Sequence, residues 1–100
     1  RFALLLIMIQ SFKCKETEKI WNQDYSKKFS DNIQRIALRK LFMIQRAKEL
    51  KDLLAPPANR LEKLKGDRKA QYSIRINDQY RICFRWEDSN AYDVEIVDYH

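Results

Sequence analysis

One glycine, one histidine, two cysteines and two prolines are all that this 100-residue chain holds of the residues that punctuate or often catalyse. A single glycine, Gly66, leaves no glycine-rich phosphate cradle, and no GxGxxG, P-loop, HExxH or GxSxG pattern occurs. Cys14 and Cys83 lie far apart, with no CxxC and no Cys/His ligand spacing. No metal site and no cofactor are therefore expected, and any chemistry is metal-free or borrows its metal. Both thiols are expected to be reduced, with Cys83 packed inside a strand. The longest apolar run, Phe2 to Ile9, is too short to span a bilayer as a helix. Only Arg1 precedes it and no small-residue cleavage site follows, so it does not read as a signal peptide. It also lacks the basic amphipathic pattern of an interfacial helix, so no membrane role is expected.

What the chain has in excess is positive charge. Twenty Lys and Arg face fourteen Asp and Glu, a formal charge of +6. That balance suits a polyanionic partner: nucleic acid, an anionic membrane or an acidic protein. The length fits one domain, and 45% hydrophobic residues argue against a disordered tail. With no export signal read in it, the chain is expected to be cytoplasmic. Met8 is the expected natural start, with Arg1 to Ile7 an upstream extension and 8–100 a single domain.

The last forty residues carry three alternating runs. Ile74 and Ile76 alternate with Ser73 and Arg75. Tyr80, Ile82, Phe84 and Trp86 alternate with Arg81, Cys83 and Arg85, and Tyr92, Val94 and Ile96 with Asp93, Glu95 and Val97. Period two marks strands that bury one face. Asn77-Asp78 and Asp88-Ser89-Asn90 are turn formers, so an antiparallel meander is expected. Arg75, Arg81 and Arg85 then share an outward face, with Lys65, Arg68 and Lys69 entering before them. An amphipathic sheet ordinarily has such a solvated charged face. Charge of one sign interleaved with Tyr72, Tyr80, Trp86 and Tyr99 instead suits phosphate contact with base stacking, as in single-stranded nucleic-acid binding.

Upstream, Ile9 to Phe12 reads as a first buried strand and Glu16 to Trp21 as a short helix. A longer helix begins at Ser30 or Asp31, with Asp31-x-x-Gln34 resembling a capping box. Ile33, Ile36, Ala37, Leu41, Ile44 and Ala47 form its apolar stripe, widened by Leu38, Phe42 and Met43. Arg35, Arg39, Lys40 and Arg46 mark its wet side. The helix has to stop before Pro56-Pro57, with 53–59 a linker, Arg60 to Leu64 a short strand and Lys65 to Arg68 a turn.

Three segments go further: Leu64-Lys65-Gly66-Asp67-Arg68, the stretch from Tyr72-Ser73-Ile74-Arg75 through Tyr80-Arg81-Ile82-Cys83-Phe84, and Val94-Glu95-Ile96-Val97-Asp98-Tyr99-His100. In this order and spacing the chain resembles the HigB-type toxins, the plasmid-maintenance killer-protein branch of the RelE superfamily, from Met8 to His100. The resemblance implies a type II toxin–antitoxin module and an α+β RelE-like fold: a small antiparallel sheet with two helices on one face, in the order β-α-α-β-β-β. It implies a ribosome-dependent endoribonuclease that cuts mRNA in the decoding site. It also implies a HigA-type helix-turn-helix antitoxin, through which alone operator DNA is bound.

The family's catalytic positions carry over onto Lys65, Arg81, Tyr99 and His100. Cleavage through the neighbouring 2′-hydroxyl needs a base, cations for the phosphate and an acid for the leaving oxygen. One histidine cannot make a two-histidine pair, and His100 is the best single acid or base. Arg81 suits a bidentate phosphate clamp. Lys65 stabilises charge or titrates, and Tyr99 orients or stacks on a base. Arg68, Lys69, Arg75 and Arg85 are the expected RNA-binding residues. Some members carry a second histidine three residues before the lysine. Here that position is Glu62, either a carboxylate base or a surface partner of a neighbouring lysine. The competing reading of the whole chain is a non-catalytic basic module that docks on RNA or the ribosome, or an antitoxin-bound corepressor.

Overall fold

The computed structural model describes residues 8–66 and 70–99. The expected extension Arg1 to Ile7, together with Arg68, Lys69 and His100, lies outside the described residues. Helix α1 spans Lys15–Trp21 and α2 spans Asp31–Arg46; strands β1 Glu62–Lys63, β2 Gln71–Arg75, β3 Tyr80–Glu87 and β4 Asn90–Asp98 follow. The strands form one antiparallel sheet in the order β1-β2-β3-β4. Local chemistry accounts for the meander. Asn77 Oδ1 accepts from the backbone N–H groups of Gln79 and Tyr80, closing the β2–β3 turn. Asp88 and Ser89 both take positive φ, closing the two-residue β3–β4 turn as such hairpins require.

The apolar stripe of α2 lies on the apolar sheet face. Ala37, Leu41 and Ile44 are fully buried with Ile74, Ile82, Phe84, Ala91 and Val94. Tyr72, Tyr80 and Trp86 pack against this same core, Tyr80 edge-on to Phe29 at 5.4 Å. They are therefore unavailable to stack on bases beside the arginines, because strand alternation turns them to the helix side. Thr17 Oγ1 accepts from the Ile96 N–H at 3.0 Å and ties α1 to β4.

The first expected strand is a different object. Met8 to Lys13 runs parallel to β4 through isolated bridges Ile9↔Ala91 and Phe12↔Val94. Asp93, at φ 54°, interrupts β4 between them, and its N–H donates to Ser11 Oγ at 2.9 Å instead of to a backbone carbonyl. A ladder broken after one bridge is not an interior strand.

Ser30 caps α2, its Oγ accepting from the Ile33 N–H. The expected capping box is absent because Gln34 is used elsewhere. Its Oε1 accepts from the Ser26 N–H, and its Nε2 donates to the carbonyls of Ser26 and Phe29. α2 ends at Arg46, well before the prolines. Asp52 Oδ2 accepts from the N–H groups of Lys48 and Glu49 and starts the 3₁₀ turn Leu50–Leu54, which buries Leu53. A second 3₁₀ turn, Pro57–Asn59, leads into β1, which is only two residues long.

Lys40, assigned to the wet side by spacing, is 7% exposed. Its Nζ donates to Asn59 Oδ1 at 2.5 Å. Burial above all, then the charges of Arg39 and Arg75, push its pKa down.

The loop before α2 offers a direct titration test. The buried Ser26 hydroxyl donates to Glu16 Oε1 at 2.6 Å, and this bond is the first cause of the lowered Glu16 pKa. A depressed folded-state pKa stabilises the protein above the ordinary carboxyl value, and the stabilisation fades as pH falls through the depressed one. Ser26→Ala is expected to move the Glu16 titration, followed by carboxyl-carbon NMR, up toward the ordinary value. An unmoved midpoint would assign the shift to Lys19 and Lys28 instead.

Candidate active site

The sheet face away from the helices is built by register. Cross-strand partners Ser73↔Cys83↔Glu95 and Arg75↔Arg81↔Val97 form adjacent rows on it, and Glu62 joins through its pairing with Ser73. Arg81 lies at its centre and is only 8% exposed. Its Nε donates to Ser73 Oγ at 2.8 Å, and Nη2 donates to the Arg60 carbonyl and, at 3.4 Å, to that of Ser73. Glu62 Oε1 lies 3.9 Å from Nη2 and the Tyr99 ring 5.8 Å from Cζ. The expected bidentate clamp is therefore half engaged by the protein. Nη1 has no hydrogen-bond partner among the described residues. A guanidinium held at two nitrogens is fixed in orientation.

Tyr99 is held less by its side chain than by its backbone. Its N–H donates to the Gln79 carbonyl at 2.7 Å, and Gln79 Nε2 donates to Asp98 Oδ2 at 3.1 Å. The C-terminal end of β4 is thus fastened to the β2–β3 turn, and the half-exposed Tyr99 ring stands beside Arg81. Lys65 follows β1 and is exposed, next to Gly66 at φ 74°. Anchoring on either side comes from Leu64 N–H to the Gln71 carbonyl and Trp86 N–H to the Ala70 carbonyl. Glu62, Arg81 and Tyr99 are thus brought together, with Lys65 one turn of chain beyond Glu62.

Arg75 and Arg85, expected as free cations for RNA, are both engaged. Arg75 Nη2 pairs with Asp78 Oδ1 across the β2–β3 turn. Arg85 Nη1 meets Glu87 Oε1 at 2.8 Å, and Nε lies 3.6 Å from Asp93 Oδ2. Two members of this face were not legible as site residues. Ser73 holds Arg81, and the sequence marks it only as a small polar residue on the arginine face of β2. Tyr92, expected beside Val94 and Ile96 in the core, faces the other way. The ladder shifts register between Cys83 and Arg85, so Tyr92 pairs with Arg85 and its ring lies 4.5 Å beneath that guanidinium. A one-residue irregularity moves a side chain to the opposite face.

Among the described residues no group of three or more His, Cys, Asp and Glu is disposed to hold a metal ion. No helix among them is long and apolar enough to cross a membrane.

Comparison with known proteins agrees with this fold. The chain is 38% identical over 85 residues to Toxin HigB-1 of Vibrio cholerae, covering 84% of this chain and 90% of that one. It is 32% identical over 94 residues to Endoribonuclease HigB of Proteus vulgaris, covering 93% of this chain and all of that one. Its fold resembles a chain of the YoeB–YefM complex from Staphylococcus aureus, with a TM-score of 0.58 at 22% identity over 92% of this chain and 97% of that one. The family model for HigB-like toxins matches residues 10–100. With its α+β fold and this match over nearly its whole described length, the chain belongs to the RelE-like toxins of type II toxin–antitoxin systems, in the HigB-like family.

Proposed function

We propose that this toxin is an endoribonuclease that cleaves mRNA in the ribosomal decoding site, without a metal, through the neighbouring 2′-hydroxyl. The observation that carries the reading is Arg81, fixed by Ser73 and the Arg60 carbonyl on an open sheet face between Glu62 and Tyr99. The relative named Endoribonuclease HigB supports the same activity.

In this mechanism the 2′-oxygen attacks the adjacent phosphorus and the P–O5′ bond breaks. The products are a 2′,3′-cyclic phosphate and a 5′-hydroxyl. Glu62 takes the 2′-proton. Arg81 and Lys65 stabilise the pentacovalent phosphate by charge, and Tyr99 orients the nucleotide. His100 protonates the leaving 5′-oxygen, a role for which imidazole is the side chain of choice. The remaining partners in this reading are the ribosome, a HigA-type helix-turn-helix antitoxin, and operator DNA reached only through that antitoxin. The protein acts in the cytoplasm.

The test is induction of residues 8–100 without antitoxin, beside His100→Ala and Glu62→Gln, with growth and mRNA integrity followed. Expected is arrest with ribosome-dependent cuts that vanish in His100→Ala. For Glu62→Gln the expected fall is about a hundredfold, the scale of a general base. Arrest that survives His100→Ala would make the protein a binder rather than a nuclease. A several-fold loss in Glu62→Gln would reduce Glu62 to the ion-pair partner of Arg81.

A further inference from the structure

At the end of the sheet face remote from the Arg81 cluster, the Arg85 guanidinium lies over the Tyr92 ring, its carbon 4.5 Å from the ring centroid. They are direct cross-strand partners, Arg85 on β3 and Tyr92 on β4. The guanidinium is paired with Glu87 at Nη1 and lies 3.6 Å from Asp93 at Nε, with its carbon over the ring. A third of the Arg85 side chain remains accessible, and both carboxylates are about half exposed or more. A cation neutralised at its rim is a poor phosphate ligand. It is a flat, rigid plate, the kind of surface on which an unstacked base lies.

Building on the endoribonuclease reading above, we infer that the Tyr92–Arg85 plate is a base-recognition subsite for a nucleotide near the cut, with Glu87 and Asp93 as its rim acceptors. Arg85 and Arg81 are four residues apart on one strand face, about 13 Å at roughly 3.3 Å per residue. A base on the plate is then a small number of nucleotides from the phosphate at Arg81. The rim sets the preference. Guanine presents two adjacent donors on its pairing edge, which a single carboxylate accepts together. Uracil presents one donor flanked by two carbonyl oxygens that a carboxylate repels. Guanine is thus the favoured base and uracil the disfavoured one.

Mapping of the 5′ ends produced by the toxin on translating ribosomes tests this directly. At one fixed position relative to the cut, guanine is expected over uracil by about tenfold, the scale of a bidentate contact. The ratio is expected to collapse toward one in Tyr92→Ala and Arg85→Lys, and to persist in Tyr92→Phe, which keeps the ring. A ratio that survives Tyr92→Ala and Arg85→Lys would overturn the subsite. A second measurement does not depend on cleavage: NMR titration of the full chain with the single-stranded tetranucleotides UGUU and UUUU. The Arg85 Nε–H and Tyr92 ring signals are expected to shift with the first and much less with the second. Equal shifts, or none, would sink the proposal even if the protein cuts RNA. Selective shifts in a protein that cuts nothing would keep the subsite and remove the nuclease.

Discussion

Arg81→Lys is expected to lower mRNA cleavage about a hundred- to a thousandfold, the scale seen when one preorganised donor to a developing charge is lost. The charge is kept, so the loss isolates geometry. Arg81 reaches the site already held by Ser73 Oγ at Nε and by the Arg60 carbonyl at Nη2. A lysine ammonium is a single point and cannot hold those two contacts while presenting a third donor outward. The substitution also leaves the buried Ser73 hydroxyl without its Arg81 donor, at a cost of about 1–3 kcal/mol. Thermal unfolding therefore has to accompany the rate. The expected result is a protein still folded at the assay temperature whose cuts have nearly disappeared. A lysine variant within tenfold of the parent would show that Arg81 acts as a diffuse cation, and the case for a fixed donor would fail.

Asn59→Ala is expected to cost about 2–5 kcal/mol, a large share of the stability of so small a domain. Asn59 is fully buried and joins three elements. Its Oδ1 accepts from Lys40 on α2, and its Nδ2 donates to the carbonyls of Leu53 and Ala55 in the turn between the helices and the sheet. Alanine leaves a buried ammonium, the buried Leu53 carbonyl and the part-buried Ala55 carbonyl without these partners, and a buried cation stripped of its partner is the expensive case. Lys40→Met in the same background removes the cation, so the double variant is expected to recover part of the loss. Urea midpoints of the four proteins in the cycle measure this. Additive losses would show that Lys40 and Asn59 do not depend on each other.

Both predictions turn on groups whose surroundings come from distant parts of the chain. What the sequence by itself determined is what short-range periodicity carries. The three- and four-residue spacing from Ile33 to Ile44 placed the buried face of α2, because helix geometry alone puts those side chains on one side. Period two in β2 and β3, with Asn77-Asp78 between them, placed Ile74, Ile82 and Phe84 inward and Arg75, Arg81 and Arg85 together on the other face. The ordered motifs from Leu64 to His100 carried the family, which the comparisons bear out. The end of α2 was not legible, since it is set by Asp52 folding back on Lys48 and Glu49 rather than by the prolines. Nor was the burial of Lys40, which follows from the 3₁₀ turns closing over it with Asn59. Tyr92 is the sharpest case. Alternation assigned it to the core, and the left-handed Asp93 reversed that assignment, supported by a hydroxyl from Ser11 eighty-two residues away. Periodicity reports which face a side chain takes only while the ladder stays regular, and only the tertiary contacts decide where the ladder breaks.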